Sequence, residues 1–204
     1  MRTLADRALT ALRDQAKRLP EDMRSDADRV LTLKNEILGR FRFILEQKIT
    51  AMRIRGHGDY HLGQVLFTGK DFVITDFEGE PAQPVAERRS KGSPLRDAAG
   101  MLRSFHYAAL TALKNSDFRP EELARLTGAA NGWVFWVSAI FLRNYLEAAD
   151  SGGFLPASKP ELKGLLDLYL LQKAVYELNY ELNNRPPWVG VPLRGIPEIL
   201  QTPA

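Results

Sequence analysis

The 204-residue chain predicts a mainly α fold with one small β-hairpin. Apolar residues recur at helical spacing over residues 3–18, 26–51, 95–113, 120–149 and 160–184. Only between Arg53 and Phe77 does the pattern change to short β-type runs. Prolines mark the segment borders at Pro20, Ser93-Pro94, Pro120 and Pro160, and Asp150-Ser-Gly-Gly153 ends the fourth segment.

Each element has its own signal. Leu4, Ala8, Leu9, Leu12 and Ala16 line one side of a first helix that ends near Leu19-Pro20. A second helix is expected from Asp26 to Ala51, with Val30, Ile37, Phe41 and Ile44 on its apolar side. Gln64-Val-Leu-Phe-Thr68 and Phe72-Val-Ile-Thr75 read as strands joined by the turn Thr68-Gly-Lys-Asp71. Leu95 to Leu113 follows as a helix. Pro120 to Ala149 is very apolar around Trp133-Val-Phe-Trp-Val137, where core packing is expected for the aromatics. Pro160 opens a last helix to about Asn184, before a proline-punctuated tail. No internal repeat or low-complexity segment is present.

Composition narrows the function classes. With 45% hydrophobic and 26% charged residues the chain is an ordinary globular sequence. Its net charge of +3 is scattered among nearly as many acids, with no basic stripe carrying interleaved aromatics, so no nucleic-acid partner is expected. The absence of cysteine excludes thiol catalysis, disulfides and Cys-ligated zinc. No run reaches the length of a membrane helix and the first residues lack a signal-peptide core, so the expected location is cytoplasmic, without a membrane partner.

The chemistry concentrates in Arg55-Gly-His-Gly-Asp-Tyr-His-Leu-Gly-Gln64 and, across the hairpin, Ile74-Thr-Asp-Phe-Glu-Gly-Glu-Pro81. Asp59, His61, Gln64 and Asp76 thus lie within about twenty residues, a compact set for holding a divalent metal and activating a hydroxyl, which points to phosphoryl transfer. Mg²⁺ takes hard oxygen ligands, few of them from protein, and Asp76 and Gln64 supply a carboxylate and an amide oxygen. Asp59 is placed to accept a proton, while His61 orients the loop or bonds Asp76. Two other readings stand beside this one: a tight turn with a histidine packed inside, and a dinuclear metal site on His57, Asp59 and His61. The latter needs further imidazoles, and only His106 remains.

On the last helix Lys173, Tyr176, Glu177, Tyr180 and Asn184 share one face by their spacing. Such a face could grip sugar hydroxyls; tyrosines at a core edge with a solvated ion pair explain it as well. Arg88 and Arg89 either border an acceptor pocket or pair with Glu78 and Glu80.

His57-Gly-Asp-Tyr-His-Leu-Gly-Gln64 resembles the catalytic loop of the aminoglycoside phosphotransferase-like kinases, His-Gly-Asp-x-His-x-x-Asn, with Gln64 in the asparagine place. Asp76-Phe-Glu-Gly-Glu-Pro81, Glu87-Arg-Arg89, Ser93-Pro-Leu-Arg-Asp-Ala-Ala-Gly100 and Tyr176-Glu-Leu-Asn-Tyr-Glu-Leu-Asn-Asn-Arg-Pro186 are similar to the maltokinases. The resemblance implies the C-terminal, larger lobe of the protein-kinase-like fold, with 1–52 a helical lead-in, 53–81 the catalytic loop and metal-binding hairpin, and 94–204 a helical acceptor-binding subdomain. It implies ATP-dependent phosphorylation of maltose to maltose 1-phosphate for α-glucan synthesis, with Asp59 as base, Gln64 and Asp76 as Mg²⁺ ligands, and Asp97 as a buried acid bonding the loop. A plain alternative for Asp97 is an acid favoured by a helix N-terminus.

Only 54 residues precede Arg55, and Gly39 is the sole glycine among them, so no phosphate-covering loop is found there. The resemblance therefore implies that the N-terminal lobe binding most of ATP is absent and that the chain alone is inactive. Its parent polypeptide could carry a trehalose synthase domain. A noncatalytic sugar-binding or assembly module, or a kinase of another acceptor such as an aminoglycoside, is the alternative.

Overall fold

The structure is a computed structural model that describes residues 1–81, 83–114 and 118–201. It is mainly helical, with a single two-stranded antiparallel sheet among the described residues. The chain divides into two compact units, one formed by residues 1–49 with 158–204 and the other by residues 50–157. The segment 94–204, expected as one helical subdomain, contributes to both.

The first unit holds α1 (Arg2–Gln15), α2 (Glu21–Thr32), α3 (Lys34–Arg40), α4 (Phe43–Glu46), α8 (Lys159–Asn184) and α9 (Gly190–Gln201). Ala5, Ala8, Leu9 and Leu12 recur on one face of α1 and are buried against α8, which supplies Leu171, Ala174, Val175 and Leu178. The two alanines let the helices approach closely. Val30 of α2, Ile37 of α3 and Leu193 and Ile196 of α9 complete the core, all without exposure.

The helix expected over 26–51 is three helices. It begins at Glu21, straight after Pro20, and breaks at Leu33 and again at Phe41-Arg42. At the first break the Thr32 hydroxyl turns back to the Arg29 carbonyl at 2.7 Å, and the Leu33 N–H closes a tighter turn on the Val30 carbonyl. The proline-punctuated tail is the helix α9. Pro192 lies in its first turn, where the lost N–H has no helical partner in any case, and the buried face through Ile196 outweighs the bond lost at Pro197.

The second unit holds β1 (Val65–Phe67), β2 (Phe72–Ile74), α5 (Val85–Arg88), α6 (Leu95–Lys114) and α7 (Pro120–Asp150). Val65 pairs with Ile74, Leu66 with Val73 and Phe67 with Phe72, closed by the Thr68–Asp71 turn. Helix α6 buries Leu95, Ala98, Leu102, Phe105 and Ala109 along one stripe and packs on α7. Expected in the core, Trp133, Phe135 and Trp136 are instead 46%, 64% and 65% exposed, while Val134 is buried. The sequence Gly128 to Leu142 is uncharged on every side of α7, so its pattern could not select the buried face.

Candidate active site

The loop 55–64 runs between Ile54, which forms a two-way backbone bridge with Gly92, and β1. Helix α6 fixes it. Asp97, in the first turn of α6, accepts the backbone N–H of His57 at 2.6 Å and of Gly58 at 2.9 Å. Ser104, two turns further on, accepts the Leu62 N–H at 3.0 Å. The fit needs glycine on both partners: a Cβ on Gly56 would collide with the Asp97 carboxylate, and one on Gly100 would stand 2.7 Å from the Tyr60 carbonyl oxygen.

His57 is buried with both ring nitrogens engaged. Its Nε2 lies 2.7 Å from the Thr75 carbonyl oxygen and donates to it; its Nδ1 accepts the Asp59 N–H at 3.3 Å. A neutral imidazole satisfies both contacts. His57 therefore ties the loop to the residue just before Asp76, and the Phe77 ring packs on it at 4.9 Å. The sequence reading had His57 as a histidine packed inside a tight turn or as a metal ligand; it is packed inside, and its tie to Thr75 is the part the sequence did not suggest.

His61 works differently. Its Nδ1 accepts the Gly63 N–H at 3.0 Å, which turns Nε2 toward Asp59 Oδ2 at 3.7 Å. It orients the loop and faces Asp59; Asp76 is bonded instead by Gln64, whose Nε2 donates to Asp76 Oδ2 at 2.8 Å. Thr75 joins β2 to the loop by donating its N–H to the Gln64 carbonyl at 2.9 Å. Asp76 itself has φ of +63°, the only non-glycine residue in the left-handed region among the described residues, a strained geometry typical of functional loops.

Gln64 and Asp76 stand side by side as an amide and a carboxylate, oxygen-bearing groups of the kind Mg²⁺ takes alongside water and phosphate oxygens. Among the described residues no cluster of three or more His, Asp or Glu could hold a metal. The dinuclear reading fails with that, since the ring nitrogens of His57 are spent on backbone groups.

Surrounding groups are held neutral. Burial, then Asp97, pushes the Tyr145 phenol up to about 12, and its O–H donates to the Pro94 carbonyl at 3.2 Å. Burial and, less, Asp97 raise Tyr60. Burial, then Arg103, lowers His106 to about 4.

Lys173, Tyr176, Glu177 and Tyr180 lie on α8, in the first unit, and form a ladder there. Lys173 Nζ sits 5.1 Å over the Tyr176 ring, Tyr176 stacks on Tyr180 at 6.3 Å, and Arg185 lies 5.3 Å over Tyr180. Glu177 is buried, as is Glu181, which takes Arg185 through both oxygens at 2.6 and 3.0 Å. Glu181 and Arg185 were not among the expected residues; their i, i+4 spacing is the signal that could have found them. A cavity of about 930 Å³ in the same unit, lined by Arg40, Phe43, Lys163 and Gly164 among others, contains none of the candidate residues. Loop chemistry, not cavity size, selects the site.

This helical arrangement, with its hairpin between catalytic-type loops, is the fold of part of a kinase. Solved glucosamine kinase structures match it at TM-scores of 0.70 (crystal form B, 21% identity) and 0.68 (a complex with glucosamine, ADP and inorganic phosphate, 20% identity), each over 96% of this chain and 44% of theirs. Its homologues are glucosamine kinases. That of Mycolicibacterium smegmatis is 33% identical over 148 residues, 72% of this chain and 34% of that protein; that of Streptacidiphilus jiangxiensis is 25% identical over 150 residues, 71% and 31%. The chain spans about a third of the length of these relatives. No protein-family model matches it.

Proposed function

We propose that this chain forms the acceptor lobe of an ATP-dependent sugar kinase whose acceptor is glucosamine. The observation that carries the reading is the locking of the Asp59 loop: Asp97 holds the two amides before Asp59, and His57 ties that loop to the Asp76 segment. A base and a metal ligand held by a shared framework are what in-line transfer to a hydroxyl requires.

In this reading Asp59 accepts the proton of the attacking sugar hydroxyl. The new O–P bond forms at the γ-phosphoryl group as its bond to the ADP oxygen breaks. His61 keeps one oxygen of Asp59 oriented, leaving the other for the sugar. Asp76 and Gln64 would hold Mg²⁺, which when bound neutralises charge on the phosphate oxygens. Lys173, Tyr176, Glu177 and Tyr180 are proposed to make a sugar-binding face on α8, with the Lys173 ammonium, the tyrosine hydroxyls and the Glu177 carboxylate as its polar contacts. Asp97 remains a support for the loop.

Glucosamine is favoured by the homologues; a maltose acceptor is favoured by the motifs from Asp76 to Pro81 and Glu87 to Arg89, and would place the chain in α-glucan metabolism beside a trehalose synthase activity. Saturation-transfer NMR on the 204-residue chain separates them. Transfer to glucosamine, reduced by Glu177→Gln, is expected. Transfer to maltose alone would replace glucosamine by maltose, and transfer to neither would reject the α8 site. Mn²⁺ binding read by water-proton relaxation, and lost in Asp76→Asn, tests the metal site.

A further inference from the structure

On the reading of Asp76 as a metal ligand, we propose that Arg88 is a positioning residue for the segment Asp76–Glu80, and that it acts through its hydrocarbon stem and not its charge. Three chain segments meet here: the backbones of Gly58 and Gly79 pass without an intervening side chain, and the stem of Arg88 lies on Gly79. A Cβ on Gly58, beside Asp59, would stand 3.2 Å from the Cα of Gly79; a Cβ on Gly79 would stand 3.4 to 3.6 Å from Cβ, Cγ and Cδ of Arg88. Both glycines have positive φ, +88° and +82°, so neither accepts a side chain without strain. The Arg88 stem thus covers Gly79 where a side chain would stand, while the Gly79 Cα meets the catalytic loop. Phe77, two residues earlier, is held from the loop side by His57. The metal segment is held by the loop and by the Arg88 stem.

The head group of Arg88 is poorly engaged by comparison. Nη1 reaches the Glu78 carbonyl only at 3.5 Å and its carboxylate at 3.7 Å, and that carboxylate is 62% exposed. Nε is buried with no hydrogen-bond partner. A guanidinium retained for its charge would satisfy that donor; close packing of the stem is what the geometry preserves.

The test compares Arg88→Ala, which removes the stem, with Arg88→Met, which keeps an unbranched stem and removes the charge. Amide exchange across Phe77–Glu80 in the metal-free chain is expected to quicken about tenfold in Arg88→Ala and stay unchanged in Arg88→Met. Mn²⁺ affinity should fall about tenfold in Arg88→Ala, the scale at which an outer support of a metal ligand acts, and hold within twofold in Arg88→Met. Gly79→Ala, which displaces the stem from the other side, should quicken exchange as Arg88→Ala does, and Lys91→Ala should do nothing. Unchanged exchange in Arg88→Ala and Gly79→Ala overturns the proposal, and so does an Arg88→Met as damaged as Arg88→Ala. A wild-type chain that binds no Mn²⁺ rejects the metal reading separately, and the exchange comparison still decides the role of the stem.

Discussion

Replacing Asp97 by alanine should release the catalytic-type loop from α6. The carboxylate accepts two backbone N–H groups, His57 at 2.6 Å and Gly58 at 2.9 Å. Hydrogen bonds to a charged partner contribute about 1.5 to 3 kcal/mol each, so the variant forfeits about 3 to 6 kcal/mol of local stabilisation. It also leaves both donors without their acceptor, and His57 is only 7% exposed, so water replaces the lost oxygen poorly. Asp97→Asn keeps one acceptor oxygen and turns an NH₂ group toward the other amide, which halves the loss at best. A domain's whole stability is about 5 to 15 kcal/mol, so the effect is decisive if global and large even if confined to the loop. Two measurements distinguish these cases. Urea unfolding followed by circular dichroism reports the global part, and amide exchange at His57 and Gly58 reports local opening. An Asp97→Ala chain with unchanged unfolding midpoint and unchanged exchange at both amides would refute the reasoning, because the two bonds would then hold nothing.

Two other outcomes follow from the same structure. Leu171→Ala, at a fully buried position where α8 meets α1, should cost about 2 to 5 kcal/mol and lower the urea midpoint without altering the slope. His106 is lowered to about 4 in the folded chain against an unfolded value near 6.5. The unfolded chain therefore binds the extra proton first as pH falls; stability is fully present above about 6.5 and declines to about pH 4, by up to about 3 kcal/mol. His106→Gln should flatten this part of the stability–pH curve, measured by urea unfolding from pH 4 to 7.

What could be read from the sequence follows from which interactions are local. The hairpin was legible within a residue at either end because Thr68-Gly-Lys-Asp71 closes it through its own side chains, Thr68 Oγ1 and the Asp71 backbone bonding each other. Helices α6 and α8 were legible because Pro94 and Pro160 mark their starts and apolar residues recur at helical spacing along both. The loop's acids stood out because Asp59 and Asp76 flank so short a hairpin. The break at Leu33, by contrast, depends on turning Val30 and Ile37 into one core, and α9 depends on packing that overrides its prolines. Both are decided by partners far away in sequence. The exposure of Trp133, Phe135 and Trp136 was hidden by an apolar stretch with no polar side. The link from His57 to Thr75 spans 18 residues, and the cover of Gly79 by the Arg88 stem is a side-chain contact on bare backbone that no spacing rule reports.

The two ends of the second unit lie beside each other. The Met52 N–H donates to the Phe154 carbonyl at 3.0 Å, and the Ala157 N–H donates to the Thr50 hydroxyl at 3.0 Å, so residues 50–157 form an excursion whose ends are clasped together. Helix α1 packs in part on α2 and α3, but its main core partner, α8, comes more than 140 residues later. During synthesis the excursion can therefore close and fold while the α1 face that meets α8 is still uncovered. Clasping its ends shortens the effective loop that must then close to bring α8 onto α1. The clasp at Met52 and Phe154 would thereby favour an order of assembly in which residues 50–157 close before α8 reaches α1.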